Sequence, residues 1–156
     1  MEERNDREME ELTALVSLNR PGLEKKCLEY FKNRFHPELI KYECSEIESI
    51  LSPTYGCILY HEQIEEILSS LGGFSPEQSK QVRKNMAKGK TSSRAEEKHV
   101  FVYGDAEKGI SGCVAKGISF EAAGKAFDDC CEAAGYTFNK AHAIVYIRNL
   151  CGSHSK

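Results

Sequence analysis

Apolar residues recur at the spacing of an α-helix along most of this chain, so nearly every element that the pattern predicts is a helix. The strongest stripe has its members at i, i+4, i+7, i+8 and i+11, which places them on one helical face. Its members are Tyr60, Ile64, Ile67, Leu68 and Leu71. Gly72-Gly73 follows directly and predicts the C-terminal end of that helix.

Proline, glycine and capping residues set the breaks between the other predicted helices. Residues 1–18 form a charged helix or tail, which ends at Asn19-Arg20-Pro21-Gly22 because proline disfavours helix at the residue before it. Ser75, Pro76 and Gln78 form a capping box with proline at the first helical position. The further predicted helices are Leu23–Phe35, one from Ser45 to Ser52, Pro76–Met86, Ala123–Ala134, and one capped by Asn139 and running through Leu150.

A short β-hairpin is the one exception to this helical pattern. His99–Tyr103 is rich in β-branched and aromatic residues and is followed by a Gly-Asp turn, so it predicts a strand whose partner is Ile110–Val114. The predicted fold class is therefore mainly α, a compact multi-helix domain with a short β-hairpin. The predicted organisation is a charged helix or tail over 1–18, one domain over 19–152 and a disordered tail over 153–156.

Composition narrows the class of protein. The 156 residues are 40% hydrophobic and 29% charged, as in an ordinary globular domain. No apolar run approaches the roughly 20 residues that span a bilayer, and the N-terminus lacks the basic start of a secretory signal. We therefore expect a cytoplasmic protein without membrane contact. The formal net charge of −3 argues against coating nucleic acid by bulk charge, so any phosphate contact must be local.

Seven cysteines are many for a chain of this length, but none of them forms a CxxC pair. A zinc site needs four convergent ligands, usually in two close pairs, and these spacings do not supply them. We expect the cysteines to pack as small hydrophobic side chains in a reducing compartment.

The helix predicted from Pro76 has a basic face. At about 100° per residue, four cations fall on one side of it, while Val82 and Met86 fall on the other. Arg binds a phosphate bidentately and Lys adds a point charge, so this face suits a triphosphate or a nucleic-acid backbone. A solvated charged face without a ligand is the alternative, and the commoner one for such patterns. The four cations are Lys80, Arg83, Lys84 and Lys88.

The segment Gly135–His142 is a second candidate, because two aromatic residues precede a helix start that carries Lys140 and His142. Aromatic rings stack on bases, and a helix N-terminus with a lysine attracts phosphate. The alternative is that both aromatic rings belong to the core and that His142 is a hydrogen-bonded structural histidine.

No catalytic motif is present in the sequence. It contains no nucleophile elbow, Walker loop, GxGxxG or HExxH pattern. Adjacent carboxylates such as Asp128-Asp129 diverge by about 100° on a helix and do not converge on a metal. We therefore assign no catalytic residue and no metal ligand.

Four segments follow one another along the chain: SLNRPG at 17–22, LSPTYGCILYHEQ at 51–63, VRKNMAK at 82–88 and GYTFNKAHA at 135–143. In this order and spacing they resemble the fingers region of C-family bacterial replicative polymerases, the DNA polymerase III alpha subunits. The resemblance covers most of the chain from about Leu15 to Leu150, including Gly112–Ile118.

In that family the fingers close on the incoming deoxynucleotide, and basic side chains of an Arg-Arg-Ala-Met-Gly-Lys segment contact its phosphates. The resemblance implies phosphate binding by Arg83, Lys84 and Lys88. This chain has Lys84 where the family has arginine, which weakens bidentate phosphate binding. Asn85 and Ala87 likewise replace the family's alanine and glycine. The residues expected to contact nucleotide or DNA beside them are Lys80, Gln63, Asn139, Lys140 and His142.

The resemblance also implies what the chain lacks. Palm carboxylates of such polymerases bind two Mg²⁺ ions, and most of the palm would precede Met1. The last palm aspartate matches Glu29 if one residue is deleted and Tyr30 if none is. One carboxylate cannot hold a two-metal site, so we expect no DNA synthesis by this chain alone. No cofactor is expected on it, except Mg²⁺ if a palm domain completes the site.

Two functions remain open. The first is a fingers-like module that binds nucleotide or DNA, or that completes a polymerase whose palm is on another chain. The second is a non-catalytic interaction module or degenerate remnant without ligand binding. The altered 83–88 segment favours the second, and the well-kept Phe138-Asn139-Lys140 favours the first.

Overall fold

The computed structural model describes residues 2–89 and 91–154, with side chains over 6–89 and 92–149. This part of the chain contains eight α-helices joined by loops and short 3₁₀ turns. The helices are α1 (Glu2–Leu18), α2 (Glu24–Phe35), α3 (Ser45–Leu51), α4 (His61–Gly72), α5 (Pro76–Ala87), α6 (Thr91–Tyr103), α7 (Phe120–Ala133) and α8 (Lys140–His154). The mainly helical prediction is confirmed. None of the helices in this part of the chain is long and apolar enough to cross a membrane.

Local capping explains why several helices begin and end where the sequence predicts. The Ser75 hydroxyl accepts a hydrogen bond from the Gln78 backbone N–H at 3.1 Å, and the Gln78 side chain accepts one from the Ser75 N–H at 2.8 Å. This reciprocal pair satisfies two backbone donors at the start of α5. Gly73, with φ of 82°, ends α4 in the left-handed conformation that glycine adopts without strain.

The predicted β-hairpin is wrong. His99–Tyr103 forms the last turns of α6, and no strand is present in the residues that the structure describes. Asp105 and Ile110 exchange two backbone hydrogen bonds, of 2.8 and 2.9 Å, so only an isolated bridge closes the turn. The β-forming tendency of His99–Tyr103 is overridden because helical geometry buries both Phe101 and Val102 against α7 and α4.

The loop after α6 depends on two glycines where the backbone crosses itself. Gly104 and Gly112 both have positive φ, of 90° and 83°. A Cβ on Gly104 would lie 2.5 Å from the Ser111 carbonyl oxygen, and one on Gly112 would lie 2.4 Å from the Gly104 nitrogen. Gly112 also donates its N–H to the Gly72 carbonyl at 2.9 Å, which ties the crossing to the end of α4.

The main core is built from α3, α4, α5, α6 and α7 together, and aromatic rings fill its centre. The Phe101 ring lies 5.7 Å from that of Phe127 and 6.2 Å from that of Phe74. Phe127 and Phe101 are fully buried, as are Ile64 and Leu68 of the α4 stripe. The apolar stripes predicted for α4 and α7 therefore form the centre of the domain.

A second, smaller core joins α1 and α2 to the loop before α4, around the buried Tyr30 and Tyr60 rings. The apolar spacing of Leu28, Phe31 and Phe35 suggests a buried face on α2, but these side chains are exposed. Tyr30 is the buried residue of this helix, whereas Leu28 and Phe35 are 70% and 67% exposed. The helix turns its Tyr30 side inward, where the ring packs in this core, and Arg34 on the same helix pairs with Glu11 of α1 at 3.0 Å.

Several cysteines pack as small apolar side chains. Cys57, Cys113 and Cys130 are buried, and no disulfide joins the cysteines whose side chains are described. Burial raises the pKa of the Cys57 and Cys113 thiols to about 12, because a thiolate loses its hydration there. These thiols are therefore protonated and unreactive in the folded state. Cys151 lies outside the described side chains.

Gln63 holds the loop that leads into α4. Its side-chain oxygen accepts hydrogen bonds from the backbone N–H groups of Leu59 and Tyr60, at 2.8 and 3.0 Å. Its amide nitrogen donates to the Thr54 hydroxyl at 2.8 Å, and that hydroxyl donates to the Cys57 carbonyl at 2.6 Å. All of these bonds are buried, so Gln63 fixes the approach of the chain to α4.

We predict that Phe127→Ala lowers the free energy of unfolding by about 3 to 5 kcal/mol, because it opens a cavity among buried rings. Urea denaturation measures the change. Phe120→Ala on the same helix is the matched control, since Phe120 is 59% exposed and its loss should cost less than about 0.5 kcal/mol. Equal losses in the two variants would contradict this packing.

We predict that Gln63→Ala destabilises the protein by about 1 to 3 kcal/mol, because two buried backbone N–H groups lose their acceptor. Gln81→Ala is the control, since the exposed Gln81 side chain bonds only to Asn85, at 3.1 Å. Thermal melts of both variants test this. A Gln63 variant as stable as the control would show that the loop does not depend on this side chain.

Candidate nucleotide-phosphate site

The basic face of α5 lies on the outside of the domain. The opposite side of this helix is buried, with Ser79, Val82 and Met86 packed toward α4 and α7. The amphipathic arrangement predicted from the sequence is therefore present. Its exposed lysines are Lys80, Lys84 and Lys88.

Arg83 differs from these lysines because it is held at the contact between α5 and α4. Its Nε donates to the Glu65 carboxylate at 2.7 Å, and the two side chains are 15% and 20% exposed. The bond uses Nε, and among the described residues the terminal guanidinium nitrogens have no hydrogen bond of their own. Those nitrogens are the pair that can bind a phosphate bidentately.

The second predicted segment is attached to the start of α4 by backbone pairing. The Phe138 N–H donates to the Leu59 carbonyl at 2.9 Å, and the His61 N–H donates to the Phe138 carbonyl at 3.1 Å. Tyr60 and Phe138 thus form an isolated parallel bridge. This pairing holds residues 136–138 at the N-terminal end of α4. Glu65, the partner of Arg83, lies one helical turn further along that helix.

The side chains of that segment have different surroundings. The Asn139 side chain accepts a hydrogen bond from the His142 N–H at 3.2 Å and caps α8, as predicted, and His142 itself is exposed. The Lys140 ammonium pairs with Glu10 of α1 at 2.5 Å and lies 5.5 Å above the Tyr60 ring. The Lys140 side chain therefore points toward α1. Gln63 is buried beneath the loop that leads into α4.

Two basic side chains that were not among the predicted site residues lie beside residues 136–138. Arg20 donates through Nε to the Ser17 carbonyl at 3.0 Å and through a terminal nitrogen to the Tyr136 carbonyl. Its guanidinium carbon lies 5.4 Å from the centre of the Phe138 ring. Arg20 belongs to the first of the four segments that carry the resemblance, and that membership is the only sequence feature that points to it.

His61 is the second of these basic side chains. Its Nδ1 lies 2.8 Å from the Thr137 hydroxyl oxygen. Burial lowers the pKa of His61 below its usual value, and the positive charge of Arg83 lowers this pKa further. The imidazole is therefore mostly neutral at pH 7 and can gain a proton when an anion approaches.

The positions that match the last palm aspartate do not fit a magnesium site. The Glu29 side chain is 51% exposed and lies 3.5 Å from the Lys26 ammonium. Tyr30 is fully buried, and burial raises the pKa of its hydroxyl. Among the side chains that the structure describes, 6–89 and 92–149, no cluster of His, Cys, Asp or Glu could hold a metal ion.

Comparison with known proteins agrees with this arrangement. The profile of the bacterial DNA polymerase III alpha subunit finger domain matches residues 1–109. DNA polymerase III subunit alpha of Helicobacter pylori is 37% identical over 139 residues, which is 88% of this chain and 11% of that protein. The subunit of Pseudomonas aeruginosa is 37% identical over 145 residues, and that of Escherichia coli K12 is 36% identical over 145. Each of these two alignments covers 88% of this chain and 12% of the relative.

The chain thus spans about a tenth of the length of the curated relatives that it matches. The profile match includes the basic face of α5, Arg20 and His61. On the extent of the profile match and the identity to these relatives, the chain belongs to the finger domain family of bacterial DNA polymerase III alpha subunits.

Proposed function

We propose that this chain binds the phosphates of an incoming deoxynucleotide, or of primer–template DNA, through the basic face of α5. It acts as a fingers module and does not synthesise DNA by itself. The observation that carries the proposal is the combination on α5 of exposed lysines with Arg83, whose terminal nitrogens stay available for an anion. Phosphate recognition needs both features, point charges and a bidentate donor.

The exposed lysines of α5 lack carboxylate partners among the described residues, which supports phosphate binding rather than a surface whose charges are neutralised by ion pairs. Lys98 and Lys125 elsewhere in the domain form ion pairs with Asp128 and Asp129, each at 3.0 Å. In the described part of the chain, no carboxylate lies within ion-pair distance of Lys80, Lys84 or Lys88. The positive charges of these three lysines are therefore not paired locally, although Arg83 is paired with Glu65 and the whole chain has a net charge of −3.

The catalytic carboxylates must come from elsewhere if the module takes part in synthesis. Glu29 and Tyr30 do not build a two-metal site, and phosphoryl transfer by this mechanism depends on two metal ions. We therefore propose that a palm domain on a separate polymerase chain is the partner, with DNA or deoxynucleotide bound between the two.

A second function, that of a protein-interaction module without ligand, has its own support. α2 exposes Leu28, Phe31 and Phe35, and contiguous exposed apolar side chains mark interaction surfaces. Lys84 also stands in place of the arginine that the family has, which reduces bidentate phosphate binding. A test of whether α5 binds nucleotide or DNA therefore distinguishes the two functions.

We predict salt-dependent binding of single-stranded DNA or a deoxynucleoside triphosphate, which titration at low ionic strength measures. An Arg83→Ala, Lys84→Ala double variant should lose affinity. Its plot of log K against log salt should become shallower by about one to two units, because each phosphate contact contributes roughly 0.7 to 0.9. Binding that is independent of salt, or undiminished in the double variant, would favour the interaction module.

The control for this experiment removes the same charge from another helix. Lys25 and Lys32 are exposed on α2, so Lys25→Ala, Lys32→Ala changes the net charge by the same amount. It should preserve most of the affinity if the contact is local to α5. The α2 double variant should melt near the wild-type temperature, since exposed charges rarely change stability by more than about 0.5 kcal/mol. The α5 double variant also loses the partly buried Arg83–Glu65 pair, so its affinity is compared per folded molecule after a thermal melt.

We also predict no primer extension by the purified chain with primed template, Mg²⁺ and deoxynucleotides, because its residues do not organise two metal ions. A full-length DNA polymerase III alpha subunit serves as the positive control on the same template. Extension by this chain above a no-enzyme control would refute the prediction.

A further inference from the structure

We propose that Arg20 and His61 bind the same phosphate group as Arg83, and that His61 takes up a proton when the phosphate binds. This inference rests on the proposed function and extends it to two residues outside α5. The ligand chemistry is a phosphate group, either on a deoxynucleoside triphosphate or in a DNA backbone.

Arg20 and His61 are held in place by the same three residues, 136–138. Arg20 donates to the Tyr136 carbonyl and lies over the Phe138 ring at 5.4 Å. His61 bonds through its ring to the Thr137 hydroxyl at 2.8 Å and through its backbone N–H to the Phe138 carbonyl at 3.1 Å. Both side chains are therefore fixed on one short segment, with their orientation set before any ligand arrives.

Arg83 reaches this place from α5. His61 and Glu65 are four residues apart on α4, so they lie on the same face one turn from each other. Glu65 holds the Arg83 guanidinium at 2.7 Å, so Arg83 lies one helical turn from His61. The influence of Arg83 and Arg20 on the His61 pKa is consistent with this proximity. Two arginines and a neutral histidine from three different parts of the chain thus lie near one another.

The balance of charge around His61 favours an anion. The charged groups that face it are Arg20 from the segment after α1, Arg83 from α5, and Glu62 and Glu65 from α4 itself. Glu65 is engaged by Arg83, and Glu62 accepts a hydrogen bond from the backbone N–H of Lys140 at 3.2 Å. Arg20 bonds only to carbonyl oxygens among the described residues, so its charge has no carboxylate partner there.

Exposure allows a ligand to reach these groups, because Arg20, His61 and Arg83 are all partly exposed. The Thr137 hydroxyl bonds Nδ1 of His61, which leaves Nε2 as the second ring nitrogen available to donate to an oxyanion. The imidazole donates from both nitrogens only when it is protonated.

The sign of the pH effect follows from this arrangement. In the free protein the pKa of His61 is lowered by burial and by Arg83, so the ring is mostly neutral at pH 7. A bound phosphate places negative charge beside the ring and raises that pKa, so binding takes up a proton. The affinity must then rise as the pH falls from about 8 to about 6. Protonation of the ligand phosphate would have the opposite effect, because it removes negative charge from the ligand.

The experiment titrates oligothymidylate and, separately, deoxythymidine triphosphate into the whole chain at pH 8 and pH 6 in low salt. The phosphodiesters of the first probe keep their charge over this range, whereas the terminal phosphate of the second titrates. We expect wild-type affinity for oligothymidylate to be about three- to sixfold higher at pH 6, as a bound-state pKa raised by about one unit allows.

His61→Gln is the decisive variant, because glutamine can still bond Thr137 but cannot be protonated. It should remove the pH dependence and lower the affinity at pH 6, while binding at pH 8 changes less. His99→Gln on α6 is the matched control, since His99 is exposed and lies against Tyr103, with ring centres 4.9 Å apart. That variant should keep the wild-type ratio between the two pH values.

Arg20 is tested by a pair of substitutions. Arg20→Gln should weaken binding several-fold and make the salt dependence shallower by about one contact, roughly 0.7 to 0.9. Arg20→Lys should restore part of the affinity, because it keeps the charge. Thermal melting of both variants shows whether a loss of binding comes from unfolding. A purely structural role for Arg20 would leave the affinity per folded molecule unchanged.

The outcomes separate this inference from the proposed function. Should His61→Gln and Arg20→Gln bind like wild type at both pH values while Arg83→Ala, Lys84→Ala loses affinity, the inference is overturned and the function of α5 stands. No binding by the wild type overturns both. Loss of pH dependence in His61→Gln for oligothymidylate alone, or for the triphosphate alone, identifies DNA or nucleotide as the source of the phosphate.

Discussion

Two backbone hydrogen bonds, from Phe138 N–H to the Leu59 carbonyl and from His61 N–H to the Phe138 carbonyl, hold together the parts of this finger domain that face the candidate site. They join residues almost 80 positions apart in the chain, so the loop between α7 and α8 cannot move independently of α4. Gln63 supports the same loop from beneath by occupying the Leu59 and Tyr60 N–H groups. Without this pairing, Arg20 and His61 would lose the segment that orients them, and α5 would present its cations alone.

How far the fold could be predicted depends on how local its causes are. α4, α5 and α7 are predicted within a few residues because their caps and apolar stripes lie inside the helices themselves. The hairpin fails because His99–Tyr103 has β-forming residues whose burial between α4 and α7 favours helix, and that burial is invisible in a short window of sequence. For α2 the helix is right, but Tyr30 rather than Leu28 and Phe35 is buried, since the orientation depends on packing against distant residues of α1 and the loop before α4.

The candidate site divides in the same way. The basic face of α5 is visible in the sequence because helical periodicity alone places its lysines together and away from Val82 and Met86. Arg20 and His61 could not be found by periodicity, since their meeting point depends on the pairing of residues 59–61 with 138. Arg83 was selected correctly as part of this face, but its ion pair with Glu65 requires the packing of α4 against α5. Its role with phosphate stays a prediction.

The crossing of Gly104 over Gly112 has a consequence for how this region can change by mutation or engineering. Because any Cβ there would overlap backbone rather than a movable side chain, the two positions accept no other residue without displacement of the loop. Residues 106–108 at the tip of that loop are exposed, and Gly109 has open space on its Cβ side but a positive φ of 72° that favours glycine. A label or fused peptide is therefore best attached at residues 106–108, away from α4 and α6, with Gly104, Gly109 and Gly112 left in place.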